Sequence, residues 1–357
     1  MNRKLALILC IVSSSMILFA QPTVILVADL FRAPNDPDDH FDLATNFALA
    51  KRGAINLKCV IIDYPPATTR GNPDVEAVAQ LSFLTGVTPL VAVGQRQGTV
   101  TPSSGLLVLK RLLEESTEPV VIHILGANDT LALMSSLWPE LLRKKVRAVY
   151  LNSGVGIDNG TLEYNVWLSP EAYRKMFSLP CPVYWLPCFH RFDIKEWEAG
   201  KTACGRFGSY WKLPHAQVFD AVRPNVLNYF LDILKTDCNK ERLQTDSHWL
   251  NAITGPVDES ARSMFYGEKR NMWCTIGFLH TAGLTVWKDG TIAARGEAPE
   301  KEIFRFRPVV VHCGKDARTT WEDAPNGKTH CRIVEILDPE NYPAAMTKAL
   351  VKLFSEL

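Results

Sequence analysis

Val24-Ile-Leu-Val-Ala28-Asp29-Leu-Phe-Arg-Ala-Pro-Asn-Asp36-Pro-Asp38-Asp39-His-Phe-Asp42-Leu-Ala-Thr-Asn-Phe-Ala-Leu-Ala50 is the stretch whose reading decides the fold. The apolar run 24–28 reads as a buried strand and ends in Asp29. A loop with two prolines delivers Asp36, Asp38 and Asp39. Leu43, Phe47 and Ala50, with Ala44 and Ala48 beside them, then recur at helical spacing. Carboxylates therefore gather where a strand ends and a helix begins, which is where open α/β sheets bind ligands. Acids this dense repel one another unless a positive charge sits among them. A hard cation with oxygen ligands, Ca²⁺ or Mg²⁺, answers that need. Asp36 reads as a turn residue and Asp42 as a helix N-terminal acid. His40 reads as a surface histidine.

Outward from this unit the same alternation continues. Residues 57–62, 89–93, 120–125 and 146–151 read as further buried strands. Helical patterns separate them: one with Val75, Val78, Leu81 and Leu84, capped by Asp74 and stopped by Gly86, and another over 106–113. Strict βα alternation predicts a mainly parallel sheet with helices on both faces. The Gly/Ser/Thr/Pro stretch from Gly94 to Gly105 is long enough for a mobile active-site loop. The second half is less regular. It has a helix over 170–177 capped by Ser169, a strand over 183–186 and helices over 222–234 and 258–265. A buried helix broken at Gly283 follows within 273–287. Late strands over 309–312 and 331–337, joined by a turn region, precede a terminal amphipathic helix over 342–357. No linker stands out, so residues 21–357 read as one domain.

Composition narrows the function. With 357 residues, 47% hydrophobic, 22% charged and a net charge of +1, the chain has no basic excess to engage nucleic acid or an anionic surface. Residues 1–20 read as a signal peptide, with Arg3 and Lys4 ahead of an apolar run, short for a membrane span. A secreted or periplasmic protein follows, without stable membrane insertion of the mature chain; the alternative is a retained anchor. Eight cysteines then remain. Disulfides, with Cys181/Cys188 and Cys313/Cys331 as the nearest pairs, stand beside buried free thiols as readings.

Three motifs carry a resemblance. They are Asp29…Asp38-Asp39, Gly126-Ala-Asn-Asp129-Thr and Glu163-Tyr-Asn165-Val-Trp-Leu-Ser-Pro170-Glu171-Ala. Together they resemble the inosine–uridine nucleoside hydrolase family, over roughly residues 24–187, and the third is the most specific. The resemblance implies a parallel sheet wrapped by helices and hydrolysis of an N-ribosyl bond at a Ca²⁺ ion held by aspartates. Carried over, Asp29 is a metal ligand and general base, and Asp39 a metal ligand. Asp38 binds metal or a sugar hydroxyl, and the backbone carbonyl of Asp129 completes one side of the ion. Glu163 and Asn165 hold ribose hydroxyls, with Asn159 a further candidate. The chemistry suits these types: water attacks an oxocarbenium-like centre, a cation activates it, and a carboxylate takes its proton.

One part departs from the family. Where a late His-Asp pair is expected, the chain reads Asn271-Met-Trp-Cys-Thr-Ile-Gly-Phe-Leu-His280, without an aspartate. Trp273 and His280 are the substrate-side candidates in this segment, weighed against plain core roles; Trp167 is read as core too. The loss leaves two functions open. One is a hydrolase of nucleosides or related N-ribosides; the other is a non-catalytic sugar- or nucleoside-binding protein on the same fold. A small-molecule ribonucleoside or sugar is the expected partner, and homo-oligomerisation stays open.

Overall fold

The computed structural model describes residues 21–31, 37–67, 71–235 and 248–357. The segment read as a signal peptide, and Arg32, Asp36 and Cys238, lie outside these residues. The first half runs β1 (Thr23–Ala28), α1 (Asp38–Lys51), β2 (Asn56–Ile62), α2 (Val75–Thr85), β3 (Leu90–Val93), α3 (Ser104–Glu115), β4 (Val120–Ile124), α4 (Asp129–Leu137), α5 (Pro139–Lys145) and β5 (Val146–Asn152). Next come α6 (Tyr164–Leu168), α7 (Pro170–Met176), β6 (Val183–Leu186), α8 (Ile194–Glu198), β7 (Trp211–Pro214), α9 (His215–Phe219), α10 (Pro224–Lys235), α11 (His248–Thr254) and α12 (Glu259–Phe265). The chain closes with β8 (Lys269–Met272), α13 (Thr275–Thr281), β9 (Leu284–Val286), β10 (Ile292–Ala294), β11 (Phe304–Cys313), β12 (Thr319–Asp323), β13 (Cys331–Ile336) and α14 (Tyr342–Phe354).

A nine-stranded sheet in the order β12-β11-β13-β6-β5-β4-β1-β2-β3 forms the centre. Strands β1 to β6 and β13 pair in parallel, while β11 runs antiparallel to both its neighbours. Strand β1 is apolar throughout because both its faces are covered. Val24, Leu26 and Ala28 pack on one side with Phe41 and Phe47 of α1. Ile25 and Val27 pack on the other with Leu106 and Leu109 of α3. From β1 the chain builds outward through β2 and β3, then returns to place β4, β5 and β6 on the opposite flank. The strand order therefore reverses between β1 and β4, and a crevice opens above their C-terminal ends.

Local reading of the helices holds in part. The Asp74 carboxylate accepts from the Ala77 N–H and caps α2, and Gly86 ends that helix at φ +76°. Ser169 precedes α7 but makes no capping bond; its hydroxyl donates to Asp129. Gly283, at φ +73°, separates α13 from strand β9, so the apolar stretch is a helix followed by a strand. The turn region before β13 contains a strand, β12. The loop after β3 is stapled by one side chain: Gln95 donates to the Thr99 and Thr101 carbonyls and accepts from the Ser103 N–H. The seven described cysteines after the first strand are free thiols, five of them buried. Among the described residues no helix is long and apolar enough to cross a membrane.

Candidate functional site

The crevice between β1 and β4 opens into a cavity of about 520 Å³, within the usual range for small-molecule sites. Asp29, Asp38, Asp39, Glu163, Asn165 and Trp273 all line it. Six of the residues singled out from sequence, drawn from three distant segments, thus meet at one place.

Asp29 is the first residue beyond β1, and its backbone N–H donates to Asp39 Oδ2 at 2.9 Å. Asp38 and Asp39 open α1, where the helix dipole favours negative charge. Asp39 is fully buried, and burial, followed by the neighbouring Asp29, Asp38 and Asp42 carboxylates, holds its carboxyl well above the usual range. Gly126 lets these strand ends close. A Cβ there would sit 2.9 Å from Asp29 Cβ and Cγ and 2.8 Å from Asp63 Oδ2. Asp63, at the end of β2, is buried too, and burial and then Asp29 and Asp129 raise its carboxyl.

Glu163 caps α6. Its Oε1 accepts the Asn165 N–H and its Oε2 the Gly154 N–H, both at 2.8 Å. Burial pushes this carboxyl up to about 7, against backbone bonds that lower it. Asn165 donates Nδ2 to the Leu125 carbonyl at 3.1 Å, and its buried Oδ1 has no hydrogen-bond partner among the described residues. That oxygen is an acceptor awaiting a hydroxyl.

The segment before α13 supplies the far wall. Cys274, Asp42 and Asp39 each bring one potential ligand atom, and the three atoms lie within 4.8 Å of one another. Asp42 is fully buried, accepts from Thr275 Oγ1 at 3.2 Å, and burial raises its carboxyl to about 7. Asp42 is therefore more than a helix-end acid, and the Cys274 thiol stands beside it and Asp39. Neither Asp42 nor Cys274 stands out in the sequence, since a single Cys and a helical Asp carry no pattern.

Several residues sit differently from their sequence reading. The Asp129 side chain does not line the cavity: its carboxylate accepts from Ser169 Oγ at 3.0 Å in a separate small crevice with Asp63 and Gln95, an arrangement that bears on the side chain and not on its backbone carbonyl. Asn159 does not line the cavity; it is exposed and donates Nδ2 to the Phe192 carbonyl at 2.7 Å. His280 is half-buried and does not line the cavity: it lies 2.6 Å from the Tyr150 hydroxyl, packed on Tyr184 and Phe306, and burial drives its pKa down to about 2. His40 is no surface residue: it is buried with Nε2 3.1 Å from Asp74 Oδ2. Trp167, read as core, is 55% exposed and lines the cavity.

The remaining wall is aromatic. Phe189, Phe192 and Trp197 follow β6, and Phe189 stacks on Phe192 with centroids 4.8 Å apart. Trp273 meets Phe189 edge-on at 5.8 Å and lies 6.2 Å from Trp197. Tyr164 and Trp167 form a second stacked pair at 6.0 Å. Their common signal is again the C-terminal end of a strand, here β5 or β6.

The acid cluster fits a hard cation in most respects. Buried carboxylates crowd together, no Lys, Arg or His is among the described residues lining the cavity, and Asp42 Oδ2 has no hydrogen-bond partner among the described residues. Oxygen donors of this kind suit Ca²⁺ or Mg²⁺, while the Cys274 sulfur is the one soft atom beside them.

No family model matches the chain. Over 78 residues it is 36% identical to the pyrimidine-specific ribonucleoside hydrolase RihA of Citrobacter koseri, covering 21% of this chain and 25% of that protein. The match therefore spans about a quarter of that relative's length. The purine-preferring ribonucleoside hydrolase from Gardnerella vaginalis superposes with a TM-score of 0.55 at 11% identity, covering 93% of this chain and 99% of that one. The type III effector protein XopQ, solved with adenosine diphosphate ribose, gives a TM-score of 0.53 at 15% identity, covering 93% and 94%. The fold is the α/β fold of the nucleoside hydrolases. In fold, and over that short matched stretch in sequence, the chain is similar to the nucleoside hydrolases.

Proposed function

We propose that this chain hydrolyses the N-glycosidic bond of a nucleoside or related N-riboside. The observation that carries the reading is the convergence of Asp29, Asp38 and Asp39 with Glu163 and Asn165 on one cavity at the switch point of the sheet. Glu163 and the unpartnered Asn165 Oδ1 are the groups offered to sugar hydroxyls, and Asp29 is the carboxylate that takes a proton from the attacking water. Asp29, Asp38 and Asp39 would hold a divalent cation, Ca²⁺ by resemblance to the family. The chemistry such an ion supplies when bound is Lewis acidity toward water and sugar oxygens. The aromatic wall receives the base and excludes water. Relatives that act on pyrimidine and purine ribonucleosides, and one solved with adenosine diphosphate ribose, support a small ribosylated ligand. Export through residues 1–20 belongs to the same proposal.

A second reading is favoured by one observation: Cys274 stands beside Asp39 and Asp42 where a further carboxylate is expected. On that reading the fold binds an N-riboside or sugar without turning it over. The test is incubation of the mature protein with Ca²⁺ and a nucleoside panel, measuring free base and reducing sugar. Release of both in equal amounts supports hydrolysis; ligand binding by calorimetry without release supports the binding protein.

A further inference from the structure

The aromatic wall and the acid cluster share one cavity, and their combination bears on the charge of the ligand. Resting on the proposed hydrolase reading, we propose that the preferred substrate is an N-riboside whose base carries a fixed positive charge, such as an N-ribosylated pyridinium or an N7-alkylated purine.

The first argument is recognition. Phe189, Phe192, Trp197 and Trp273 form one continuous cluster, with centroid separations from 4.8 to 6.2 Å, and the Tyr164–Trp167 pair is half-exposed on the same cavity. Aromatic faces carry negative quadrupole density and attract a desolvated cation. Four carboxylates, Asp29, Asp38, Asp39 and Glu163, open onto the same space. The cavity thus offers carboxylate oxygens, and no positive side chain among its described lining residues competes with a cationic ligand for them.

The second argument is chemical. A neutral nucleoside must lose its base as an anion or have the base protonated as it departs. The described residues lining the cavity include no Lys, Arg or His, and His280 lies outside that lining, bonded to Tyr150. A cationic base needs no such donor. The C1′–N bond breaks with its electron pair passing to nitrogen, and the base leaves neutral. Water oxygen forms the new bond to C1′, and its proton goes to Asp29. The products are ribose, neutral base and one proton, so charge and atoms balance without a general acid. The missing leaving-group imidazole is then a mark of specificity.

The test uses matched pairs on the Ca²⁺-loaded protein. 7-Methylguanosine and guanosine differ by one methyl and one charge. 1-Methylnicotinamide and nicotinamide, used as inhibitors, have no bond to break, so intrinsic lability cannot enter. The expected result is a kcat/KM for 7-methylguanosine at least about thirtyfold above guanosine, with inhibition by 1-methylnicotinamide and none by equimolar nicotinamide. Trp167→Ala, at an exposed position, and Trp197→Leu each lower that preference about tenfold. Hydrolysis of guanosine at an equal or higher kcat/KM, with both inhibitors equivalent, overturns this proposal and leaves the hydrolase reading standing. Preferential binding of 1-methylnicotinamide without release of any base supports the cage and overturns hydrolysis. Neither binding preference nor release overturns both.

Discussion

Replacing Gly126 by alanine tests whether the junction of β1, β2 and β4 sets the position of Asp29. The added Cβ would lie 2.9 Å from Asp29 Cβ and Cγ and 2.8 Å from Asp63 Oδ2, against about 3.5–4.0 Å for comfortable carbon contacts. Asp29 Cβ is one bond from its main chain, and that main chain belongs to the edge of β1, flanked by β2 and β4. Relief must come from moving Asp29 by about half an ångström or more. Overpacking of this kind costs about 1–3 kcal/mol, which in a chain of this size lowers Tm by a few degrees, about 2–4 °C per kcal/mol at most. A displaced base costs more than its stability effect: activity should fall about 10- to 100-fold. Thermal unfolding followed by circular dichroism, and base release in the same preparations, are the assays. Two controls separate causes. Gly105→Ala, whose Cβ would meet the Val93 carbonyl at 2.5 Å, should lose stability with kcat retained, while at Gly267 a Cβ meets nothing within 4 Å and the change should be silent. Wild-type kcat in a folded Gly126→Ala protein would refute the assignment of Asp29 to the reacting centre.

Other outcomes follow from the same geometry. Asp29→Asn should lower kcat about 10²–10⁴-fold with little effect on substrate binding, as read by steady-state kinetics and calorimetry. Glu163, raised from 4.5 to about 7 in the fold, binds its proton more tightly folded than unfolded. Its contribution to stability is therefore full below pH 4.5 and is lost as pH rises through 7, by about 3 kcal/mol at most. Urea melts of wild type and Glu163→Gln over that window should show a flatter pH dependence in the variant. Tyr150→Phe removes the hydroxyl bonded to His280 and should cost about 1 kcal/mol of stability with kcat unchanged, since neither ring lines the cavity; a large fall in kcat would return His280 to the site. Ca²⁺ should raise Tm more at pH 8 than at pH 5, because the carboxylates that hold it must be ionised.

Much of the site was legible because strand ends announce themselves. Val24 to Ala28 is uniformly apolar and stops at an acid, and the same grammar marks Asp63 after β2 and Gly126 after β4. Periodicity also placed the parallel half of the sheet within a residue or two. Side-chain direction was not legible. Asp129 sits at the expected position, yet a neighbouring Ser169 hydroxyl captures its carboxylate, and no local pattern records that choice. His280 lies on an apolar helix either way, and only packing against Tyr184 and Phe306 settles its surroundings. Cys274 and Asp42 meet through contact of α13 with α1, a pairing more than two hundred residues apart in sequence. Trp167 misled because aromatic character alone does not distinguish a core residue from a cavity wall.

The two walls of the cavity stand on unequal supports. Asp29 follows an interior strand of the sheet, flanked in parallel on both sides by β2 and β4. Tyr164, Trp167 and Trp197 ride on α6 and α8, helices of five residues each, with few internal bonds to hold them. Hydrogen exchange should therefore divide the site in two: amides of β1 exchanging only through global opening, and those of α6 and α8 through cheap local fluctuations. A bound ligand then has little to order in β1 and much to order in α6 and α8, so its occupancy would be read as new protection in α6 and α8 while β1 stays silent.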